Sequence, residues 1–247
     1  MDRLLELTYR AEQTHFWFRG FRQFMRPLLA RATAGIASPR ILDCGCGTGS
    51  NLEMLGPFGR AVGFDLTSVG PQFAHSHGHH VAQASIGAIP FQSGAFDVVT
   101  SFDVFQCLPD DVEASAIREI ARVLKPGGYV VLNVAALAIL HGRHSVLSEE
   151  VRRYTPARLR AIVERGGFRV ERLSYANFSL LPLLLPTRMW QRITAPPGGV
   201  EAGEFEISVP AAPINAALSA LVTIEALALK TINMPIGSSL MCLARTP

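Results

Sequence analysis

The sequence is short of most features that assign function by composition. Four cysteines, Cys44, Cys46, Cys107 and Cys242, form no C-x-x-C pair and no even framework, which leaves reduced thiols in a cytoplasmic protein as the expectation. No run of about 18 uncharged apolar residues is present. The nearest stretch, Ala211 to Leu229, is broken by Pro213, Asn215 and Glu225, so a buried helix is expected there rather than a membrane span. The N-terminus, Met1-Asp2-Arg3-Leu4-Leu5-Glu6, has no long apolar core ahead of a small-residue cleavage site, and no signal peptide is expected. There is no internal repeat. There is also no charge excess of the kind that marks a nucleic-acid partner: the net charge is +3 and the basic residues are scattered.

What remains is a chain of 247 residues, 49% of them apolar, with positive mean hydropathy. That suits one domain with a sizeable core. Residues 2 to 33 read as an amphipathic helical cap, giving an expected division into a cap over 1–35 and a main domain over 36–247. Short apolar strands are expected at Ile41–Asp43, Ala61–Asp65, His80–Ala82, Phe96–Asp103, Tyr129–Ala135, Phe168–Tyr175 and Ser238–Ala244. Between them lie helical patterns. One opens at Ser50; one runs to Leu124 with Asp110 and Asp111 as caps; one starts at Thr155-Pro156 and closes at Gly166-Gly167. Pro126-Gly127-Gly128 reads as a turn. Phe178 to Leu185 is intensely apolar but holds Pro182 and precedes Pro186, and Ala195 to Pro213 reads as a long loop or lid. Strands alternating with helices predict a Rossmann-like α/β fold, a mostly parallel sheet covered on both faces, with ligands at the carboxyl ends of the strands where strand order reverses.

The first glycine-rich turn falls at that place. Asp43-Cys44-Gly45-Cys46-Gly47-Thr48-Gly49 follows a strand and precedes a helix. Alternate glycines let the backbone turn tightly and approach a ligand, and the helix behind offers N–H groups to a carboxylate or phosphate. Asp65 ends the next strand, about 20 residues after Gly45, where an acid accepts hydrogen bonds from ribose hydroxyls. The G-x-G-x-G spacing differs from the dinucleotide pattern G-x-G-x-x-G, which disfavours an NAD-dependent oxidoreductase.

Three segments extend this into a resemblance. ILDCGCGTG resembles motif I of class I S-adenosylmethionine (SAM)-dependent methyltransferases. Ala88 to Asp110 and Arg118 to Val134 resemble the later motifs of the type-11 subgroup. The likeness covers about residues 15 to 176. It implies SAM as cofactor and a seven-stranded sheet with a reversed last hairpin. It also implies cofactor contacts at Asp43, Gly45, Cys46, Gly47, Asp65, Leu66, Ser85, Ile86, Ser101 and Phe102. Two departures stand out: Ser85 replaces the usual acid that holds the adenine amino group, and Gln106-Cys107 replaces a common Glu-His pair.

The expected function is methyl transfer to the oxygen or carbon of a small, largely apolar metabolite. The alternatives are a SAM-binding cyclase and a non-catalytic SAM-binding module. Candidate general bases are His144, His141, His15 and Tyr154, with Glu149 also in range; the bland readings are a solvated loop for the first two and cap packing for His15. Arg152 and Arg153 either grip an acidic substrate group or cap helices. Phe16, Trp17 and Phe18 either close over the site or pack the cap. His75, His77, His79 and His80 sit on one helix end and its loop, unlike the separated elements of a metal site, so no metal is expected. Within an expected acceptor-site insertion of about 177–235, Phe178 to Met189 and Ile214 to Leu229 are too apolar for simple surface helices. They are expected to wall an acceptor pocket, and a homodimer interface or a membrane-surface contact would bury them as well.

Overall fold

A computed structural model describes residues 9–142, 145, 148–194 and 209–247, with side chains omitted for 191–194. Seven strands form one sheet: β1 (Arg40–Cys44), β2 (Arg60–Asp65), β3 (Val81–Gln83), β4 (Phe96–Phe102), β5 (Leu124–Ala135), β6 (Arg169–Ala176) and β7 (Ser239–Arg245). Their spatial order is β3-β2-β1-β4-β5-β7-β6. All neighbours are parallel except β7, which runs antiparallel to both β5 and β6. The direction of winding reverses between β1 and β4, which opens a crevice at the carboxyl ends of these two strands.

Alternation along the strands builds two cores, one on each face. Leu42, Val99, Val130 and Leu132 point to one side, where Ile117 and Ile120 of α4 (Asp110–Val123) meet Leu159 and Val163 of α5 (Pro156–Arg165). Ile41, Val98 and Val131 point to the other. There they meet Met25, Leu28 and Leu29 of α1 (Phe16–Ala32), Leu52 and Leu55 of α2 (Ser50–Leu55), and Val222 and Ala226 of α7 (Ala212–Ala228). Every residue of β4 is buried, as a central parallel strand requires. Two further helices complete the layers: α3 (Val69–Ser76) and α6 (Leu181–Thr194). Helix α1 lies directly against the sheet and against α7. The approach is so close that a Cβ on Gly20 would fall 2.1 Å from Val222 Cγ1.

Several local expectations change. Among the described residues the N-terminal helix is interrupted at His15, so residues 9–14 and α1 are separate. Helix α4 is capped by Pro109, without a side-chain bond. Asp110 and Asp111 fall inside its first turn, where they meet the helix dipole rather than the end N–H groups. Pro126-Gly127-Gly128 lies within β5, where the register with β4 shifts between Phe96 and Val98 and absorbs the extra residues. Phe178 to Leu185 leads into α6, with Pro182 in the first turn, where a missing N–H is harmless. The Thr155 cap is as expected: its Oγ1 accepts from Arg158 N at 3.2 Å. Most of the Ala195–Pro213 segment lies outside the described residues. No helix among the described residues is long and apolar enough to cross a membrane.

Candidate functional site

The bend after β1 is tied to β2. Gly45 N and Cys46 N both donate to Phe64 O, at 2.8 and 3.0 Å. Gly45 has φ 84°, and a Cβ there would lie 2.2 Å from Val104 Cγ2, so both conformation and space demand glycine. Gly47 is also left-handed, at φ 50°, but a Cβ there would meet nothing within 4 Å. The bend therefore has a packed side against the end of β4 and an open side.

Asp65 faces the same bend. Its Oδ2 accepts from Gly47 N at 3.0 Å, and its Oδ1 accepts from Thr67 N and Thr67 Oγ1. The glycine turn and this carboxylate thus share one side of the sheet. Beneath them, register sets Asp43 beside Thr100, whose hydroxyl donates to Asp43 Oδ1 at 2.6 Å. Asp43 Oδ2 is buried with no hydrogen-bond partner, and so is Ser101 Oγ. Burial pushes the Asp43 carboxyl up to about 7, against the pull of the Thr100 bond and with a smaller push from Asp65. An unpaired buried polar group costs about 1–3 kcal/mol. Two of them at the carboxyl ends of β1 and β4 suit a ligand that brings hydrogen-bond donors, such as an ammonium group.

The other expected cofactor positions are distributed around this bend. Cys46 is buried in the second core. Leu66, just past β2, is 70% exposed. Ser85 Oγ accepts from Gly87 N at 3.2 Å and so caps its own turn, while Ile86 is buried in the first core. Phe102 is buried edge-to-face against Phe21 of α1. Residues 9–14 cross the outer side of the bend: Thr48 Oγ1 donates to Glu12 at 2.7 Å, Gln13 to Glu53 at 2.9 Å, and Tyr9 also bonds Glu53. Burial raises the pKa of Glu12. The sequence reading missed Glu12 and Thr100, since neither belongs to a motif. Thr100 is signalled only by its position in the register beside Asp43.

The candidate bases are dispersed. His15 is buried and caps α1: its Nδ1 accepts from Trp17 N at 3.1 Å, and its ring stacks on Phe16. That bond uses the basic lone pair, and burial lowers the pKa. Tyr154 is 1% exposed, with its hydroxyl against Phe105 O at 3.1 Å and the Glu113 carboxylate. Burial and Glu113 raise its pKa well beyond the usual tyrosine range. The geometry gives both residues anchoring positions instead of a free base. His141 is exposed at the end of the 3₁₀ turn Ala138–Leu140 that follows β5, and Glu149 is exposed on the same connection. His144 lies outside the described residues. Arg152 and Arg153 are spent inside the protein: Arg152 pairs with Glu113 and Asp110, and Arg153 with Glu150 at 3.0 Å. Trp17 and Phe16 pack against the second core. His77 stacks on Phe73 and meets Tyr9 at a tilt, and no group of three potential metal ligands occurs among the described residues.

A further carboxylate was not singled out from the sequence. Asp103 follows β4 with φ 57°, and its Oδ1 accepts from Asn133 Nδ2 at 3.0 Å and Gln106 Nε2 at 3.4 Å. Gln106, which departs from the family pattern, thus supplies a neutral donor. The only sequence signal for Asp103 was its place at the end of a buried strand, next to Val104.

Comparison with known proteins fits this geometry. Residues 42–132 match the family model for a methyltransferase domain, Methyltransf_11. A probable S-adenosylmethionine-dependent methyltransferase of Mycolicibacterium smegmatis is 27% identical over 64% of this chain and 62% of its own length. A ubiquinone biosynthesis O-methyltransferase of Thiobacillus denitrificans is 31% identical over 51% of this chain and 60% of its own. The chain thus spans about three-fifths of the length of these curated relatives. Among solved structures, a chain from a complex of the Haloferax volcanii Trm112 activator with a methyltransferase superposes with a TM-score of 0.61. It is 18% identical and covers 100% of this chain and 95% of its own, a likeness of fold. SAM is the cofactor this family and fold imply, and the open glycine bend, Asp65 and the two orphaned oxygens fit it. The segment from Leu42 to Leu132 belongs to the type-11 subgroup of class I SAM-dependent methyltransferases.

Proposed function

We propose that the whole chain is a SAM-dependent methyltransferase acting on the oxygen or carbon of a small, largely apolar metabolite. The observation that carries this reading is the buried, partnerless Asp43 Oδ2 beneath an open glycine bend that also binds Asp65. Bound SAM supplies a methyl group already activated by its sulfonium. The chain's part is to bind, align and exclude water, and alignment alone contributes about 7–11 kcal/mol in favourable cases.

In this assignment Asp43 receives the cofactor's amino group and Asp65 the ribose hydroxyls. The backbone at Gly45, Cys46 and Gly47 would hold the methionine portion, Leu66 and the Ser85–Ile86 turn the adenine, and Ser101 and Phe102 would form the floor. Ser85 provides a single neutral bond where an acid is common, so adenine recognition depends more on packing. Helix α6 packs on the Ala138–Leu140 turn after β5 and carries exposed Leu183, Met189 and Trp190. That apolar surface beside the carboxyl ends of the strands supports an apolar acceptor. The match to an O-methyltransferase supports oxygen as the methylated atom.

Calorimetric titration with SAM and with NADH tests the cofactor. SAM binding in the micromolar range is expected, and tight NADH binding without SAM binding would end this reading. Incubation with methyl-labelled SAM and hydroxylated acceptors is expected to yield labelled product and S-adenosylhomocysteine. A transformed product without label would indicate the cyclase instead.

A further inference from the structure

The ends of β4 and β5 hold a cluster that the cofactor assignment does not use. Asp103 is the first residue after β4, and its backbone N–H donates to Asn133 O of β5 at 2.9 Å. Its left-handed backbone is uncommon for a residue with a side chain, and such conformations persist where surrounding contacts hold them, often at functional sites. The next residue, Val104, packs against Gly45, so Asp103 stands beside the cofactor bend. Asn133 and Gln106 fix Oδ1, while Oδ2 has no hydrogen-bond partner among the described residues. The residue is exposed to solvent, although enough protein surrounds its carboxyl to raise its pKa.

We propose that Asp103 is the acceptor-side general base, and that the acceptor therefore presents a nucleophilic atom bearing a removable proton, a hydroxyl or an acidic C–H. This rests on the methyltransferase reading above. In the step, Asp103 Oδ2 takes the proton from the acceptor atom as that atom bonds to the methyl carbon. The carbon–sulfur bond breaks, its electron pair stays on sulfur, and the carboxylic acid later returns its proton to water.

The surrounding charges are compatible with that task. Burial raises the Asp103 carboxyl to about 6, opposed by the bonds from Gln106 and Asn133. Glu150 raises it further, while Arg153, which lowers it, is itself paired with Glu150. A base that titrates near 6 is ionised at neutral pH and still accepts a proton readily. Two of the rival groups are committed: His15 to its helix cap and Tyr154 to Glu113.

Asp103→Asn is the informative variant. Asparagine tolerates the left-handed conformation, and its amide oxygen can still accept from Asn133. Two measurements decide the matter. The first is carboxyl ¹³C NMR on the full chain saturated with S-adenosylhomocysteine. A resonance titrating near pH 6 is expected in the parent and absent from the variant. Titration of Asp103 in the ordinary aspartate range, below about 4.5, would overturn the assignment. The second is turnover with labelled SAM on a panel of catechol, phenol and a 1,3-diketone. Loss of about 10²–10⁴-fold in kcat/KM, with the acid limb of the parent's pH profile gone and SAM affinity within about threefold, is expected. Retention of turnover and of the acid limb would equally overturn it. A parent chain that fails to bind SAM would sink the methyltransferase reading itself, and calorimetry separates that case.

Discussion

The glycine bend and the β5–α5 connection sit at the same end of the sheet but are held in different ways. The bend is built from local geometry: three left-handed glycines, backbone bonds to Phe64 O and one carboxylate from the next strand. It leaves oxygens of Asp43 and Ser101 without partners. The connection is built from ion pairs, one set reaching across the sequence and one local. Glu113 on α4 is buried among Tyr154, Arg152 and Arg158, and Glu150 pairs with Arg153. Glu113 has several partners, whereas Glu150 Oε2 and Arg153 Nε are buried without a hydrogen bond of their own. The two regions thus differ in what holds them: backbone bonds in the first and ion pairs in the second.

Breaking the second region should give the largest effect. Glu113→Ala removes the carboxylate that Arg152, Arg158 and Tyr154 share, and is expected to cost about 3–5 kcal/mol of stability. Urea unfolding measures it; a loss below about 1 kcal/mol would show that the network is incidental.

In the first region, Asp65→Ala should leave the fold intact and weaken SAM binding about ten- to a hundred-fold, as expected for charged hydrogen bonds of about 1.5–3 kcal/mol. Unchanged affinity by calorimetry would remove the ribose contact.

Asp43 sharpens the contrast through pH. Its folded pKa, about 7, lies above its usual value of 3.8, so between these values the folded apo chain binds more protons than the unfolded one. Its contribution to apo stability is therefore fullest below about pH 4 and is lost as pH rises through about 7. SAM affinity should run the opposite way and strengthen as Asp43 ionises. Asp43→Asn should flatten both trends and stabilise the apo chain at pH 8 by on the order of 1–3 kcal/mol. Thermal melts between pH 5 and 8 check the sign, and an apo melting temperature that rises steadily over that range would refute it.

The smallest expected effect is Thr155→Ala. Loss of the cap on α5 should cost about 1 kcal/mol, seen as a shift of about 2–4 °C in melting temperature, with SAM binding unaffected.

Legibility followed the same division. The strand pattern, the bend and Asp65 could be read from the chain because each depends on residues close in sequence or on simple alternation. Asp103 could not be read, since its corner is made by Asn133 on another strand and by a backbone angle that aspartate rarely adopts. The four proposed bases illustrate the converse. Each had the right chemistry on paper, yet His15 turned out to be a cap and Tyr154 a buried anchor, His141 stands exposed on a turn, and His144 lies outside the described residues. Both prolines lie within α6. Pro182 falls in its first turn, which only the placement of Leu181 as the start reveals, while Pro186 sits in the helix interior.

Hydrophobic periodicity and glycine's access to positive φ are local properties, so the succession of strands and helices and the site of the tight turn follow from the chain's residues directly. Tertiary structure alone decided which ionisable groups are free to act. Availability of a proton or a lone pair depends on burial and on partners brought from elsewhere in the chain: Thr100 for Asp43, Glu113 for Tyr154, Asn133 for Asp103.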